Sequence, residues 1–178
     1  MSPRLYLNYI NFAITDPYGP NDCDSIFVEL RDSMSTAVTV ERSFAMLHTD
    51  GTASVTFPGT VSGNRYYIAV YHDNALETWS AETVLFGSAN NYDFTTDVLS
   101  AFGANMVSLD ATTWGFYSGD LDHDGNIGQG DFPFWDNDNS AGNVGYFSGD
   151  MDGDVNIGQS DFPFWDNNNT LGIYTIHP

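Results

Sequence analysis

SGDLDHDGNIGQGDFPFWDNDN, residues 118–139, returns 30 positions later as SGDMDGDVNIGQSDFPFWDNNN, residues 148–169, with 17 of the 22 positions identical. A near-copy of that length does not arise by chance, so the C-terminal third is an internal repeat of one structural unit. The acids keep a fixed spacing within each copy. Counting Asp120 as position 1, carboxylates stand at positions 1, 3, 5 and 12 (Asp120, Asp122, Asp124, Asp131), with Gly125 at 6, Asn126 at 7 and Ile127 at 8. The second copy supplies Asp150, Asp152, Asp154, Asn156 and Asp161, with Ile157 in the apolar place.

This spacing suits Ca2+, a hard cation that takes about 6–8 oxygens at ~2.3–2.6 Å. Alternate residues of a tightly wound loop turn their carboxylates inward, position 7 offers its carbonyl, and position 12 closes the shell with both oxygens. Four carboxylates held together without a cation would repel one another, so solvated acidic turns explain the pattern less well. Mg2+ fits a large, flexible oxygen cage poorly. About two Ca2+ ions are expected. The apolar residue at position 8 is expected to pin each loop to its twin. Val155 stands where the first loop has Gly125, and a β-branched residue resists positive φ, so the second site is expected to be distorted or weaker.

The tandem D-x-D-x-D-G-x-I-x-x-x-D pattern of Asp120 to Asp131 and Asp150 to Asp161 resembles the dockerin-type, EF-hand-like calcium repeats. The resemblance implies calcium binding in both loops but not docking to a cohesin, because dockerins follow each loop with a long amphipathic helix. Here FPFWDNDNS and FPFWDNNNT follow instead. Pro133 and Pro163 are tolerated only in a first helical turn, and the Asn and Asp beyond them are expected to end each helix soon after.

Charge follows the same division. The 178 residues carry 24 Asp plus Glu against four arginines, a formal net charge of -20. Residues 1–112 hold 13 acids and all four arginines, whereas residues 113–178 hold 11 acids, every one an Asp, and no base. The balance argues against nucleic acid and anionic membranes as partners, since both need clustered Lys and Arg. Yet 42% of the residues are hydrophobic and 15% aromatic, enough to fill a core, so this is no disordered acidic tail. No stretch is long and apolar enough to insert in a membrane, and Met1 to Tyr9 lacks the basic and long apolar regions of a signal peptide. Any export signal is therefore expected to be absent here or already removed.

The first 112 residues read as short strands: Leu5 to Ile14, Ser25 to Arg31, Ala37 to Leu47, Ala53 to Phe57, Tyr66 to His72, Glu82 to Phe86 and Tyr92 to Thr95. They are rich in β-branched and aromatic residues, and ASVTF alternates apolar with polar. About seven strands separated by TDG, PG and SGN turns point to an immunoglobulin-like β-sandwich. The strings TDGTASVTFPGTVSGNRYYIAVYH and ETWSAETVLF resemble the immunoglobulin-like or prealbumin-like modules of secreted Bacteroidetes surface proteins, often found just before dockerin-like repeats. The resemblance implies an extracellular or cell-surface, bacterial setting. The expected layout is an N-terminal strand at 1–14, a linker at 15–24, the sandwich at 25–112 and the calcium-repeat module with short helices at 113–178.

The N-terminal strand carries a further clue. One face would show Leu5, Leu7, Tyr9, Asn11 and Ala13, the other Tyr6, Asn8, Ile10, Phe12 and Ile14, so both faces are largely apolar. A strand pressed between its sheet and another molecule needs apolar residues on both faces, and ITDPYGPNDCD provides a Pro- and Gly-rich hinge. Two readings stand open: the first strand of its own domain, or a donor strand that completes the sandwich of a neighbouring copy. A head-to-tail exchange that does not close gives a filament.

No catalytic constellation emerges. His48, His72, His123 and His177 are scattered, without the i, i+4 pairing of a metalloprotease helix. A glycosidase pair could lie among Asp73, Glu77 and Glu82, but sequence does not set their separation. Trp79, Trp114, Trp135 and Trp165 could stack on sugar rings, which keeps a carbohydrate-binding or adhesion module as the rival function; Trp135 and Trp165 recur with the repeat and so suit a packing role better. Cys23, the single cysteine, lies in a turn-rich stretch as a free thiol and cannot form an intramolecular disulfide. Asp24-Ser25-Ile26 and Asp32-Ser33-Met34 resemble Bacteroidetes-type O-glycosylation sites at Ser25 and Ser33, although Asp-Ser is equally a turn or cap. These readings converge on a non-catalytic structural subunit of an extracellular, pilus-like fibre, its partners being copies of itself with glycans as a further candidate.

Overall fold

A computed structural model of the chain describes residues 4–6, 22–87 and 89–178. It is mainly β. Eight strands form one antiparallel-dominated sheet: β1 (Arg4–Tyr6), β2 (Asp22–Asp32), β3 (Thr39–His48), β4 (Thr52–Ser54), β5 (Arg65–His72), β6 (Ala75–Trp79), β7 (Val84–Leu85) and β8 (Asn91–Asp93). The order across it is β6-β5-β2-β3-β4-β1-β8, with β7 pairing the start of β5. A two-stranded ribbon of β9 (Val107–Ser108) and β10 (Trp114–Gly115) follows. Two ten-residue helices, α1 (Phe132–Ala141) and α2 (Phe162–Leu171), complete the chain.

The long central strands follow from their period-two pattern. In β2, Ile26, Val28 and Leu30 are buried, while Phe27, Glu29 and Arg31 stand on the other face. Val28 pairs with Ser43 on one side and Val70 on the other, so both neighbours are fixed in register by the same buried row. Ile68 and Val70 of β5, Ala45 and Leu47 of β3 and Ala53 of β4 extend that row, and Phe86, Phe94, Met106 and Phe116 close the core. The outer face is polar but tied down. Glu29, only 6% exposed, forms an ion pair with Arg31 at 2.7 Å and accepts from Thr39 at 2.9 Å, and Tyr71 donates to Glu77 at 2.6 Å, so the polar groups of this face find partners in one another.

Several expectations change. β6 was not anticipated: Ala75, Leu76, Thr78 and Trp79 are all buried, which erases the alternation that marks a half-exposed strand. Residues 22–24 belong to β2 instead of a linker, and Cys23 lies in the core at 3% exposure, its thiol pushed up to about 11 chiefly by burial. The helices do not end soon after their prolines. Each runs through its Asn and Asp residues to a left-handed glycine, Gly142 (φ 67) or Gly172 (φ 66). There the helix closes with paired bonds from Gly142 to Asn139 and Asn143 to Asp138, repeated from Gly172 to Asn169 and Ile173 to Asn168.

Two cores result, parting between Phe116 and Tyr117. The second is built from Leu121, Ile127, Trp135, Met151, Ile157 and Trp165, with Leu76 of β6 reaching in from the sandwich. Backbone bonds hold the two together at that point: Leu76 donates to Tyr117 and Gly119 to Asn74, each at 2.8 Å.

Of the N-terminal strand, Arg4–Tyr6 is described and pairs at home, antiparallel to β4 (Leu5 opposite Ala53) and parallel to β8 (Leu5 opposite Tyr92). Leu7, Tyr9, Ile10, Phe12 and Ile14 lie outside the described residues.

Candidate metal centre

Each repeat winds its acidic stretch into a loop by letting every side chain cap the backbone ahead of it. Asp122 accepts from the Asp124 amide at 3.1 Å, Asp124 from the Asn126 amide at 2.8 Å, and Asp120 from the Gly125 amide at 3.2 Å. The second loop repeats these bonds: Asp152 with Asp154 at 3.1 Å, Asp154 with Asn156 at 2.8 Å, and Asp150 with Val155 at 3.0 Å. Asp131, at the head of α1, reaches back across its loop. Its Oδ1 accepts from Leu121 (2.6 Å) and Asp122 (3.1 Å), and its Oδ2 from Gly128 (2.7 Å). Asp161 does the same with Met151, Asp152 and Gly158 at 2.7, 3.0 and 2.8 Å.

The carboxylates at positions 1, 3 and 5 converge. One oxygen from each of Asp120, Asp122 and Asp124 lies within 4.8 Å of the others, and Asp150, Asp152 and Asp154 do likewise. Asp120 is 2% exposed and Asp150 8%, yet the buried Oδ1 of each has no hydrogen-bond partner among the described residues. An orphaned buried carboxylate oxygen is costly. Burial first, then the adjacent Asp131 or Asp161, pushes Asp120 and Asp150 up to about 6. Burial also raises Asp131 and Asp161. An all-oxygen donor set, an orphaned buried oxygen and carboxyls short of charge compensation together fit a hard dication such as Ca2+.

The second loop is not distorted. Val155 adopts φ 69 beside Gly125 at φ 84, and the surrounding bonds match within a few tenths of an ångström. The strain stays in the valine backbone instead of the loop shape. Position 4 is left-handed as well, held by His123 (φ 58) in one loop and Gly153 (φ 74) in the other, so each loop places one glycine and one side-chain-bearing residue at its two left-handed positions. His123 also reaches the sandwich, its Nε2–H donating to the Asp73 carbonyl at 3.0 Å.

The repeats are crossed. Ile127 and Ile157 share one core, but their loops pair by backbone with the other repeat's tail and not with each other. Asn126 bridges to Tyr174, beyond α2, and Asn156 bridges to Val144, beyond α1. The tryptophans cross in the same way, Trp165 Nε1 donating to the Gly128 carbonyl at 2.8 Å and Trp135 Nε1 to that of Gly158 at 3.2 Å. This explains why the tryptophans recur with the loops.

The other candidates separate. Trp79, Trp135 and Trp165 are buried and Trp114 packs against the sandwich core, so the tryptophans form no sugar-stacking surface. Glu77 is engaged by Tyr71 and Trp79, while Asp73 stands in the β5–β6 turn. Ser25 lies in β2 opposite Met46, and Ser33 sits in a turn where Asp32 caps the amides of Met34 and Ser35. Among the described residues no helix is long and apolar enough to cross a membrane.

Neither a protein-family model nor a curated protein matches the chain. Solved structures do. A chain from a type II cohesin–X-dockerin complex of Acetivibrio cellulolyticus, a C-terminal interface mutant, matches 97% of this chain and 95% of its own with a TM-score of 0.53 at 15% identity. A chain from the N-terminal interface mutant of the same complex matches 94% and 93%, with a TM-score of 0.51 at 13% identity. The likeness is one of fold, a β-sandwich of the kind present in cohesin–dockerin complexes. At 97% coverage it takes in the repeats as well as the sandwich.

Proposed function

We propose that this chain is a non-catalytic protein-interaction module, acting as the structural subunit of an extracellular fibre in which each N-terminal strand completes the sheet of a neighbouring copy. The observation that carries this reading is the seat of β1, an interior rung between β4 and β8. Without it, two strand edges would stand open toward one another, a template that a strand from another copy satisfies equally well. Non-closing exchange then propagates head to tail.

Calcium is the second part of the proposal. Asp120, Asp122, Asp124, Asp131 and the carbonyl of Asn126 would hold one ion; Asp150, Asp152, Asp154, Asp161 and the carbonyl of Asn156 would hold the other. Extracellular calcium modules work at ~10⁻⁴–10⁻³ M, and metal staples suit a chain whose single thiol is buried.

Negative-stain microscopy of the full chain with calcium should show regular filaments. A truncation lacking residues 1–14 should remain monomeric and take up a synthetic peptide of those residues. Filaments from the truncation, or a full chain that stays monomeric at every concentration, would overturn the exchange. The fold likeness favours a second reading, docking onto a different β-sandwich protein as in the type II cohesin–X-dockerin complexes. Monodisperse protein that captures such a domain in place of itself would support it.

A further inference from the structure

The two acidic loops are near copies, but the segments that leave the helices are not. Between residues 140–148 (SAGNVGYFS) and 170–178 (TLGIYTIHP) only the capping glycines, Gly142 and Gly172, match. Both segments nonetheless begin with the same bond. Gly145 donates its amide to the Val155 carbonyl of the second loop and Thr175 to the Gly125 carbonyl of the first, each at 2.7 Å. From there each runs on as an arm to a different part of the sandwich. The arm at 144–148 reaches the start of β2, where the Tyr146 hydroxyl donates to the carbonyl of the buried Cys23. The arm at 174–178 reaches Trp79 at the end of β6, whose ring centre lies 5.5 Å from that of His177. On the way the Tyr174 carbonyl accepts from the Asn105 side chain at 3.0 Å, and Thr36 donates to the Pro178 carbonyl at 2.8 Å. Ile176 rests where only glycine leaves room, since a Cβ on Gly103 would stand 2.7 Å from its Cγ2.

The carbonyl that starts each arm belongs to position 6 of its loop. It lies between the carboxylate at position 5 and the carbonyl at position 7, Asp124 and Asn126 in one loop and Asp154 and Asn156 in the other. A cation held by positions 5 and 7 fixes the backbone on both sides of that acceptor. Without one, the converging carboxylates repel and loosen the turn that presents it. We propose that each calcium ion clamps one arm onto the sandwich, the first loop governing residues 174–178 at Trp79 and the second governing residues 144–148 at Cys23. Two sites of like chemistry thereby hold two different regions. Both clamps presuppose the ions proposed above but not the exchange of β1.

Calorimetry with calcium is paired with two distant readouts on the full chain: the rate at which Cys23 reacts with an aromatic disulfide reagent, and the indole N–H resonance of Trp79. Chelation should raise the Cys23 rate about tenfold, the effect of losing one or two hydrogen bonds, and shift the Trp79 resonance. In excess calcium, Asp154→Ala should raise the Cys23 rate and leave Trp79 in place, whereas Asp124→Ala should do the reverse. Tyr146→Phe and Ile176→Ala should reproduce these two effects with both ions still bound, because they alter the arm and not the loop. Calcium binding with both readouts unchanged on chelation, or loop variants that move the two together, would overturn the clamps alone. A chain that binds no calcium would overturn the metal reading and the clamps with it.

Discussion

Trp165 donates its indole N–H to the carbonyl of Gly128, 37 residues earlier and in the other repeat, at 2.8 Å. Gly128 in turn gives its amide to Asp131, so the indole of one repeat braces the closing carboxylate of the other. Trp165→Phe keeps most of the packing and removes the donor. It should cost about 1–2 kcal/mol in urea unfolding, with the largest amide shifts in the first loop, around Gly128, and not around residue 165.

Asp131→Ala removes a carboxylate that accepts three backbone amides, those of Leu121, Asp122 and Gly128. Calorimetry should show the stoichiometry of calcium falling from two to one. The metal-free protein should also melt earlier, because three loop amides lose their acceptor.

Val155→Gly relieves a β-branched residue at φ 69. About 1 kcal/mol of stabilisation is expected, together with tighter calcium binding at the second site. The mirror change, Gly125→Val, should weaken the first site by a similar amount, since a Cβ there meets only Thr175 at 3.4 Å and the cost is confined to the backbone.

Asp120 and Asp150 sit near 6 in the folded chain against an ordinary 3.8. Between those values the folded state binds more protons at these two groups than the unfolded one, so their contribution to metal-free stability is fully present below about pH 4 and is lost as pH rises through 6. The loss is on the order of 3 kcal/mol per group. Melting of dialysed, metal-free protein from pH 4 to 7.5 should show this decline. Excess calcium should reverse it, because binding strengthens as the same two carboxyls lose their protons.

What could be read from the sequence was what repeats or alternates. The loop spacing placed Asp120, Asp122 and Asp124 in one cluster with Asp150, Asp152 and Asp154 in its twin, and β2, β3 and β5 declared themselves through buried rows such as Ile26, Val28 and Leu30. β6 escaped because a strand buried on both faces has no alternation. β9 and β10 have two residues each, too few for any period. The helices outran their propensity because Trp135 and Trp165 are buried in tertiary packing that local preference does not register. The exchange of tails between repeats was hidden as well, since identical repeats carry no mark of which one is the partner.

That exchange makes half of the module insufficient by itself. A lone repeat would have no opposite indole for its loop carbonyl and no neighbouring tail for its position 7, so in isolation it would have to find both in a second molecule. Duplication within one chain supplies them at a concentration no separate peptide could reach.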